Sequence, residues 1–226
     1  MNGFARARRT AAWLLCCVGT GAAAQSTDGT EGGARAAALG LWSAAMSRED
    51  VRLGAIDADH DDAYLYRLPY GRDESFPVIQ GYDSKLSHRG VERFTVDFGM
   101  PVGTPVYAAR DGVVALVEDS HAVGCPREEC GRFANFVVVL HADGTTGEYF
   151  HLERGSAVVH QGQRIERGQL LAHSGNTGFS TAPHLHFGVY RTGADGHTES
   201  LAVRFGARGG AVTVPRSGAR YLNGDD

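Results

Sequence analysis

Short apolar runs separated by glycine, aspartate or proline fill the chain from Tyr64 onward, and this punctuation most constrains the fold. Glycine accounts for 31 of the 226 residues, about twice its usual ~7%, and it follows no three-residue period. The runs are rich in β-branched and aromatic residues, and pairs such as Asp111-Gly112 and Asp143-Gly144 separate them. No long segment shows the 3.6-residue period of an amphipathic helix. The pattern predicts an all-β domain built of short antiparallel strands and hairpins.

The apolar runs predict seven strands in this domain. They are Arg93–Gly99, Pro105–Arg110, Gly112–Val117, Asn135–His141, Gly147–His151, Gln169–His173 and His184–Tyr190. One further strand is predicted near the end of the chain, at Ala211–Val214. We expect a small antiparallel sheet, preceded by a flexible lead-in and followed by a short tail.

The first 24 residues have the pattern of a secretory signal peptide. Three arginines fall within the first nine residues, an apolar run follows at Ala11–Val18, and the small residues at 22–24 suit cleavage before Gln25. The apolar run is too short to span a bilayer. Leu15 fits poorly as the residue before a lipid-modified Cys16. We therefore expect a secreted or periplasmic protein rather than a lipoprotein.

Composition divides the remainder into three parts. Residues 25–62 are rich in Gly, Ala, Asp and Ser, and predict a poorly ordered lead-in with one helical patch at Ala36–Met46. Residues 63–205 carry the strand pattern and predict the functional domain. Residues 206–226 are rich in Gly, Arg and Ser, and predict a surface tail.

The charge balance argues against nucleic acid as a partner. The net charge is −4, and removal of residues 1–24 leaves 19 basic and 26 acidic side chains, a net charge of −7. Lys85 is the only lysine, and no stripe of Lys and Arg is present to displace counterions from a phosphate backbone. No other segment is apolar enough for a membrane span. We expect a monomeric domain whose partner is recognised by a cleft.

Two cysteines remain after removal of the signal, Cys125 and Cys130, with four residues between them. In an oxidising compartment this spacing favours a local disulfide that closes one loop. The alternative is a zinc knuckle, which needs a second Cys or His pair at short spacing. No such pair flanks these cysteines, so the disulfide is the better prediction.

The segment Pro183–Tyr190 places two histidines on one face of a strand. Residues two apart point the same way, so His184 and His186 share a side while Leu185 and Phe187 face the core. Paired imidazoles suit a metal ion, although two histidines on an exposed strand are more often surface residues. The turn cluster at Ser174–Gly178 can leave a cleft beside this strand.

Three more polar residues interrupt apolar surroundings. Asp97 lies between Val96 and Phe98, so its carboxylate points away from theirs and needs a partner. A salt bridge at an edge strand is the simpler reading. His88 precedes Asp97 with eight residues between them, and His151 ends a strand, where a half-buried, hydrogen-bonded histidine is the ordinary expectation.

Taken together, the motifs resemble those of the lysostaphin-type zinc metallopeptidases, the LytM-like peptidoglycan endopeptidases. The resemblance covers about Gln80 to Tyr190, with every motif in the family's order. The segments that carry it are His88 with Asp97, the run Gly103–Val114, His141–Thr145 with Tyr149–Leu152, and Gly175–Gly178 with His184–His186.

The resemblance implies a zinc ion held by His88, Asp97 and His186, and catalytic roles for His151 and His184. One departure concerns His88, because many members have three residues between this histidine and the aspartate, whereas this chain has eight. Members with a longer insert exist, and Ser87-His88 with Val96–Phe98 is similar to them. A rival ligand would have to be His60, which lies outside the motif.

The implied function is a secreted zinc metalloendopeptidase that cuts stem peptides or cross-bridges of bacterial peptidoglycan with a zinc-activated water. Three N, N and O ligands leave one zinc position open, as catalysis requires. One alternative is a non-catalytic scaffold of the same fold that regulates a cell-wall amidase, although such proteins typically lack some of the five residues. A second alternative is an extracellular peptidase of Gly-rich proteins.

Overall fold

The structure is a computed structural model that describes residues 47–55 and 58–224. Its regular elements are nearly all strands. They are helix α1 (Arg48–Gly54), two 3-10 helices (Gly90–Glu92 and Glu128–Phe133), and strands β1 (Leu65–Arg67), β2 (Ser75–Gln80), β3 (Val96–Phe98), β4 (Pro105–Tyr107), β5 (Gly112–Glu118), β6 (Gly124–Cys125), β7 (Phe136–Leu140), β8 (Thr146–Phe150), β9 (Arg164–Ile165), β10 (Leu170–His173), β11 (Gly178–Phe179), β12 (Leu185–Thr192), β13 (Thr198–Ser200), β14 (Arg204–Ala207), β15 (Gly210–Val212) and β16 (Arg220–Leu222). The all-β prediction is confirmed.

One antiparallel sheet organises the molecule. Its strands follow the order β16-β2-β3-β12-β8-β7-β5-β9, and β13 pairs with β12. Smaller pairings join β1, β14 and β15, join β4 to β10, and join β6 to β11. Each of the seven predicted strands overlaps one of these strands, and the eighth, predicted at Ala211–Val214, overlaps β15.

Alternation along β3 and β12 separates a core face from a polar face. Val96, Phe98 and Phe187 are at most 1% exposed and pack into the main core. Asp97 and His186 alternate with them, so both point to the opposite face. A one-residue slip would exchange these faces and expose aromatic side chains worth roughly 1.5–3 kcal/mol each when buried, which fixes the register.

Helix α1 packs on the polar face of the sheet. Ser47 and Asp50 form a reciprocal capping box at its start. Val51 is 3% exposed and belongs to a second apolar cluster with Val138 and Leu140. The residues that alternate with these two along β7 face the main core on the other side of the sheet. The prediction of a poorly ordered lead-in over 25–62 is therefore wrong for the helical part. The signal sequence (1–24) and the predicted helical patch (Ala36–Met46) lie outside the described residues.

The segment predicted as a surface tail, 206–226, is instead part of the fold over its described residues. Arg220–Leu222 pairs antiparallel with β2, and Gly210–Val212 pairs with β14. Asn223 is fully buried and donates from Nδ2 to the Tyr70 carbonyl at 2.6 Å. Strand pairing with an element about 140 residues earlier replaces the expected tail.

The two remaining cysteines form a disulfide, as the spacing predicted, with Sγ atoms 1.99 Å apart. This bond closes the loop that carries the second 3-10 helix. Strand β6, which contains Cys125, pairs in parallel with Gly178–Phe179. The disulfide therefore sits beside the turn that leads into β12. Among the described residues, no helix has the length and apolarity that a membrane crossing requires.

Candidate metal centre

Strand register brings the polar-face residues together at the centre of the sheet. His186 lies opposite Asp97 on β3 and opposite Phe150 on β8. His186 Nδ1 is 2.7 Å from Asp97 Oδ1, in hydrogen-bond geometry. Asp97 is only 2% exposed. A carboxylate this buried requires strong partners, and the neighbouring strand supplies one.

His88 reaches the same point from the loop between β2 and β3. It is 1% exposed, and its Nδ1 lies 3.0 Å from the carbonyl of Gly81. A neutral imidazole that donates from Nδ1 to a carbonyl presents the lone pair of Nε2. That atom lies 3.2 Å from Asp97 Oδ1 but has no hydrogen-bond partner among the described residues.

These three side chains have the composition and placement of a metal site. One ligand atom from each of His88, Asp97 and His186 lies within 4.8 Å of the others. Two nitrogens and one carboxylate oxygen form a donor set that suits Zn²⁺ and leaves a fourth position open. The lone pair of His88 Nε2 faces a carboxylate oxygen, an arrangement that a cation between them would stabilise. The residues present therefore fit a divalent metal.

Electrostatics at the cluster favour bound positive charge. Burial disfavours a charged His186, but hydrogen bonds and charges from Asp97 and Glu92 outweigh it and raise the pKa of His186 to about 10. Burial likewise favours a neutral Asp97, but the hydrogen bond and charge of His186 keep its pKa well below the ordinary value.

His151 and His184 form a second pair beside this cluster. Their ring centroids are 4.5 Å apart, and the His151 centroid lies 6.0 Å from that of His186. Nδ1 of His184 lies 2.8 Å from the Ala182 carbonyl, and Nδ1 of His151 lies 2.7 Å from the Thr177 carbonyl. In neutral rings, both Nε2 atoms then carry lone pairs.

The same two histidines stay neutral at ordinary pH. Burial, followed by the charges of His184 and His186, lowers the pKa of His151 to about 3. Burial is also the largest cause that lowers the pKa of His184. His151 also has a φ of +63°, a conformation uncommon outside glycine. This strain at the end of β8 aims its ring along the sheet towards His184.

Two residues that contact the candidate ligands were not predicted from the sequence. Gln80, at the end of β2, donates from Nε2 to Asp97 Oδ2 at 2.6 Å and so orients the carboxylate. Glu92, in the first 3-10 helix, places Oε2 3.5 Å from His186 Nε2. Neither residue belongs to a motif, and only the pairing of distant strands and the path of the insert bring them near the site.

His60, the rival ligand, does not join the cluster. Its Nδ1 lies 3.4 Å from Asp143 Oδ2, and Arg110 contacts the same oxygen at 2.5 Å. Its ring lies against Tyr66, with centroids 5.9 Å apart. His60 therefore belongs to a charged network around the turn after β7, and His88 remains the candidate first ligand.

His141 also lies in this network, and its environment predicts that the stability of the fold decreases in acid. Its Nδ1 lies 2.8 Å from Thr145 Oγ1, and its buried Nε2 has no hydrogen-bond partner among the described residues. Burial, then the charge of Arg110, lowers its pKa to about 3. Below pH 6.5 the unfolded chain takes up a proton that the folded chain refuses until about pH 3. The free energy of unfolding should therefore decrease as the pH is lowered across this window. The contribution of His141 to this decrease is up to about 1.4 kcal/mol per pH unit.

Denaturant titrations at several pH values between about 6 and 4 measure this slope. His141→Asn keeps a donor towards Thr145 but has no titrating group, so its slope should be shallower than that of the wild type. His160 is exposed, and His160→Asn serves as the matched control with an unchanged slope. Equal slopes for the wild type and His141→Asn would rule out this role.

The part of the chain that contains most of these residues matches a known protein family. The model of peptidase family M23 matches residues 92–198. The chain contains a peptidase family M23 domain. Asp97, His151, His184 and His186 lie inside the matched range, and His88 lies just before it. The M23 domain thus contains four of the five predicted site residues and borders the fifth.

Curated relatives of the M23 domain are longer than this chain. Over 122 residues the chain is 34% identical to peptidoglycan DD-endopeptidase ShyA of Vibrio cholerae serotype O1. This match covers 52% of this chain and 26% of that protein. Over 103 residues it is 37% identical to glycyl-glycine endopeptidase ALE-1 of Staphylococcus capitis. This match covers 45% of this chain and 25% of that protein. The chain spans about a quarter of the length of these relatives.

A solved structure is also similar to the M23 domain. The catalytic domain of lysostaphin from Staphylococcus simulans is 28% identical to the chain, with a TM-score of 0.37. The match covers 51% of this chain and 78% of that one.

Proposed function

We propose that the chain is a zinc metalloendopeptidase that hydrolyses peptide bonds in bacterial peptidoglycan. The observation that carries the proposal is the meeting of His88, Asp97 and His186 beside the His151–His184 pair, with four of these five residues inside the M23 domain. Relatives named as a peptidoglycan DD-endopeptidase and a glycyl-glycine endopeptidase support the substrate class.

His88 Nε2, Asp97 Oδ1 and His186 Nδ1 would hold the zinc ion. When bound, zinc polarises a scissile carbonyl and lowers the pKa of a nearby water. Gln80 holds the other carboxylate oxygen of Asp97 through its Nε2, so Oδ1 stays free to face the cation. The protein thus fixes both the ligand atoms and their orientation before metal arrives.

His151 and His184 would move the protons of the reaction. Each ring is oriented by a backbone carbonyl at Nδ1, so Nε2 is the atom that can take a proton from water and return one to the leaving amine. Burial lowers the pKa of both rings, so both are unprotonated at neutral pH and Nε2 carries a lone pair. Ser180 Oγ, 3.1 Å from His184 Nδ1, further fixes that ring.

We also propose that the protein acts outside the cytoplasm. The basic start, short apolar run and small residues of 1–24 support export, and peptidoglycan lies in the periplasm or outside the cell. The disulfide between Cys125 and Cys130 supports an oxidising compartment.

Release of peptides from purified sacculi tests the proposed function. The protein without residues 1–24 is incubated with sacculi, and the soluble products are identified by mass spectrometry, with and without a chelator. We expect peptide-bond cleavage products that disappear with the chelator and return when Zn²⁺ is added. The products identify the bond that is cut. A folded protein that releases the same products after complete removal of zinc would contradict the proposal.

A further inference from the structure

The insert between His88 and Asp97 places the Glu92 carboxylate beside the outer ring nitrogen of His186. Glu92 ends the 3-10 helix of this insert, and its Oε2 lies 3.5 Å from His186 Nε2, the ring nitrogen turned away from Asp97. His186 thus meets one carboxylate at each nitrogen: Asp97 at Nδ1 and Glu92 at Nε2.

Tyr190 holds the Glu92 carboxylate in place. It lies four residues after His186 on the same face of β12, is 1% exposed, and donates its hydroxyl to Glu92 Oε2. The backbone of Glu92 is also fixed, because its carbonyl accepts bonds from Thr95 N at 3.2 Å and Thr95 Oγ1 at 2.8 Å. The carboxylate is therefore constrained both at its oxygen and at its main chain.

Gly188 makes this arrangement possible. It lies between His186 and Tyr190 on the same face, and a Cβ there would come within 2.9 Å of the Tyr190 ring and 2.7 Å of the Thr95 methyl group. No side chain other than hydrogen leaves room for the tyrosine ring to lie back along the strand towards Glu92. Glycine at position 188 is thus required for the contact between Tyr190 and Glu92.

Helix α1 continues the network on the far side of Tyr190. The Arg52 guanidinium lies over the Tyr190 ring, 3.9 Å from its centroid, and donates from Nε to Glu148 Oε1 at 2.7 Å. The Glu148 side chain is fully buried. The cation over the ring fixes Tyr190, so the contacts run continuously from Glu148 to His186.

We infer that Glu92, held by Tyr190, is a positioning residue for His186 that orients its ring and directs Nδ1 to the metal. This inference rests on the proposed function, in that it requires His186 to be a metal ligand. A carboxylate that accepts the outer N–H of a ligating histidine fixes the tautomer and strengthens the ligand, and loss of such a partner typically costs 10–100-fold in metal affinity.

Zinc affinity, measured by equilibrium competition with a chromophoric chelator, tests the role without reference to activity. Glu92→Ala should weaken zinc binding by about 10–100-fold. Glu92→Gln should lose less, because its amide oxygen still accepts from Nε2 and from Tyr190. Tyr190→Phe keeps the ring under Arg52 but releases Glu92, so it should also weaken binding by less than Glu92→Ala.

The matched control is Glu199→Gln, an exposed carboxylate paired with Arg191 at 2.6 Å on the neighbouring strands; it should bind zinc as the wild type does. Thermal unfolding of the metal-free proteins separates positioning from stability. Wild-type zinc affinity in folded Glu92→Ala overturns the inference, even if this variant melts earlier. Failure of the wild type itself to bind zinc would instead overturn the proposed function.

Discussion

Replacement of His186 by alanine will remove both zinc binding and hydrolysis of sacculi. His186 lies at the centre of the cluster, 2.7 Å from Asp97 and with its ring centroid 5.3 Å from that of His88. Its removal takes away the hydrogen bond between Nδ1 and the buried Asp97 carboxylate, and it leaves only two ligands for the metal. Neither the positioning nor the electrostatic contribution of the ion survives, so the rate should fall to that of the chelated wild type.

Competition with a chelator measures the zinc affinity of His186→Ala, and mass spectrometry of released peptides measures its hydrolysis. The matched control is His160→Ala, which removes an exposed histidine that is not part of the cluster and should change neither quantity. A folded His186→Ala protein that still binds zinc as tightly as the wild type would exclude His186 as a ligand.

Replacement of His151 should separate catalysis from metal binding. His151 lies beside the cluster, with its ring 4.5 Å from His184, but it is not among the three residues whose ligand atoms converge. Loss of a positioned proton-transfer group typically lowers a rate by 10²–10⁴-fold. We expect a loss of that order in hydrolysis with an almost unchanged zinc affinity.

The backbone at His151 determines the choice of variant. With φ at +63°, asparagine is better tolerated than alanine, because its short polar side chain suits the left-handed region. His151→Asn therefore keeps the turn while it removes the imidazole, and His151→Ala provides the comparison. Full activity in a folded His151→Asn protein would remove His151 from the reaction, and lost zinc binding would make it a ligand instead.

Local patterns predicted much of this site from the sequence. Alternation around Asp97 and His186 assigned both to one face, because a strand has only two faces and apolar neighbours claim one of them. Each of the seven predicted apolar runs likewise overlaps an observed strand. These predictions depend on contacts within a few residues, which a single sequence records directly.

Long-range pairing set the limits of prediction. Arg220–Leu222 has no apolar alternation, and its place in the sheet comes from backbone bonds to Ser75–Pro77. Gln80 and Glu92 reach the site through the packing of elements that the sequence leaves independent. The ring nitrogen that each histidine presents depends on carbonyls such as those of Gly81 and Thr177. No residue type signals a backbone acceptor, so these details required the structure.

The loop closed by Cys125 and Cys130 links the site to the chemistry of its surroundings. Its strand β6 holds Gly178 and Phe179, which directly follow the Thr177 carbonyl that orients His151. In a reducing compartment the same strand would be held by backbone hydrogen bonds alone, such as that from Ser180 to Cys125 at 3.1 Å. Reduction of the disulfide would therefore loosen the segment that carries the Thr177 carbonyl, and with it the orientation of the His151 ring.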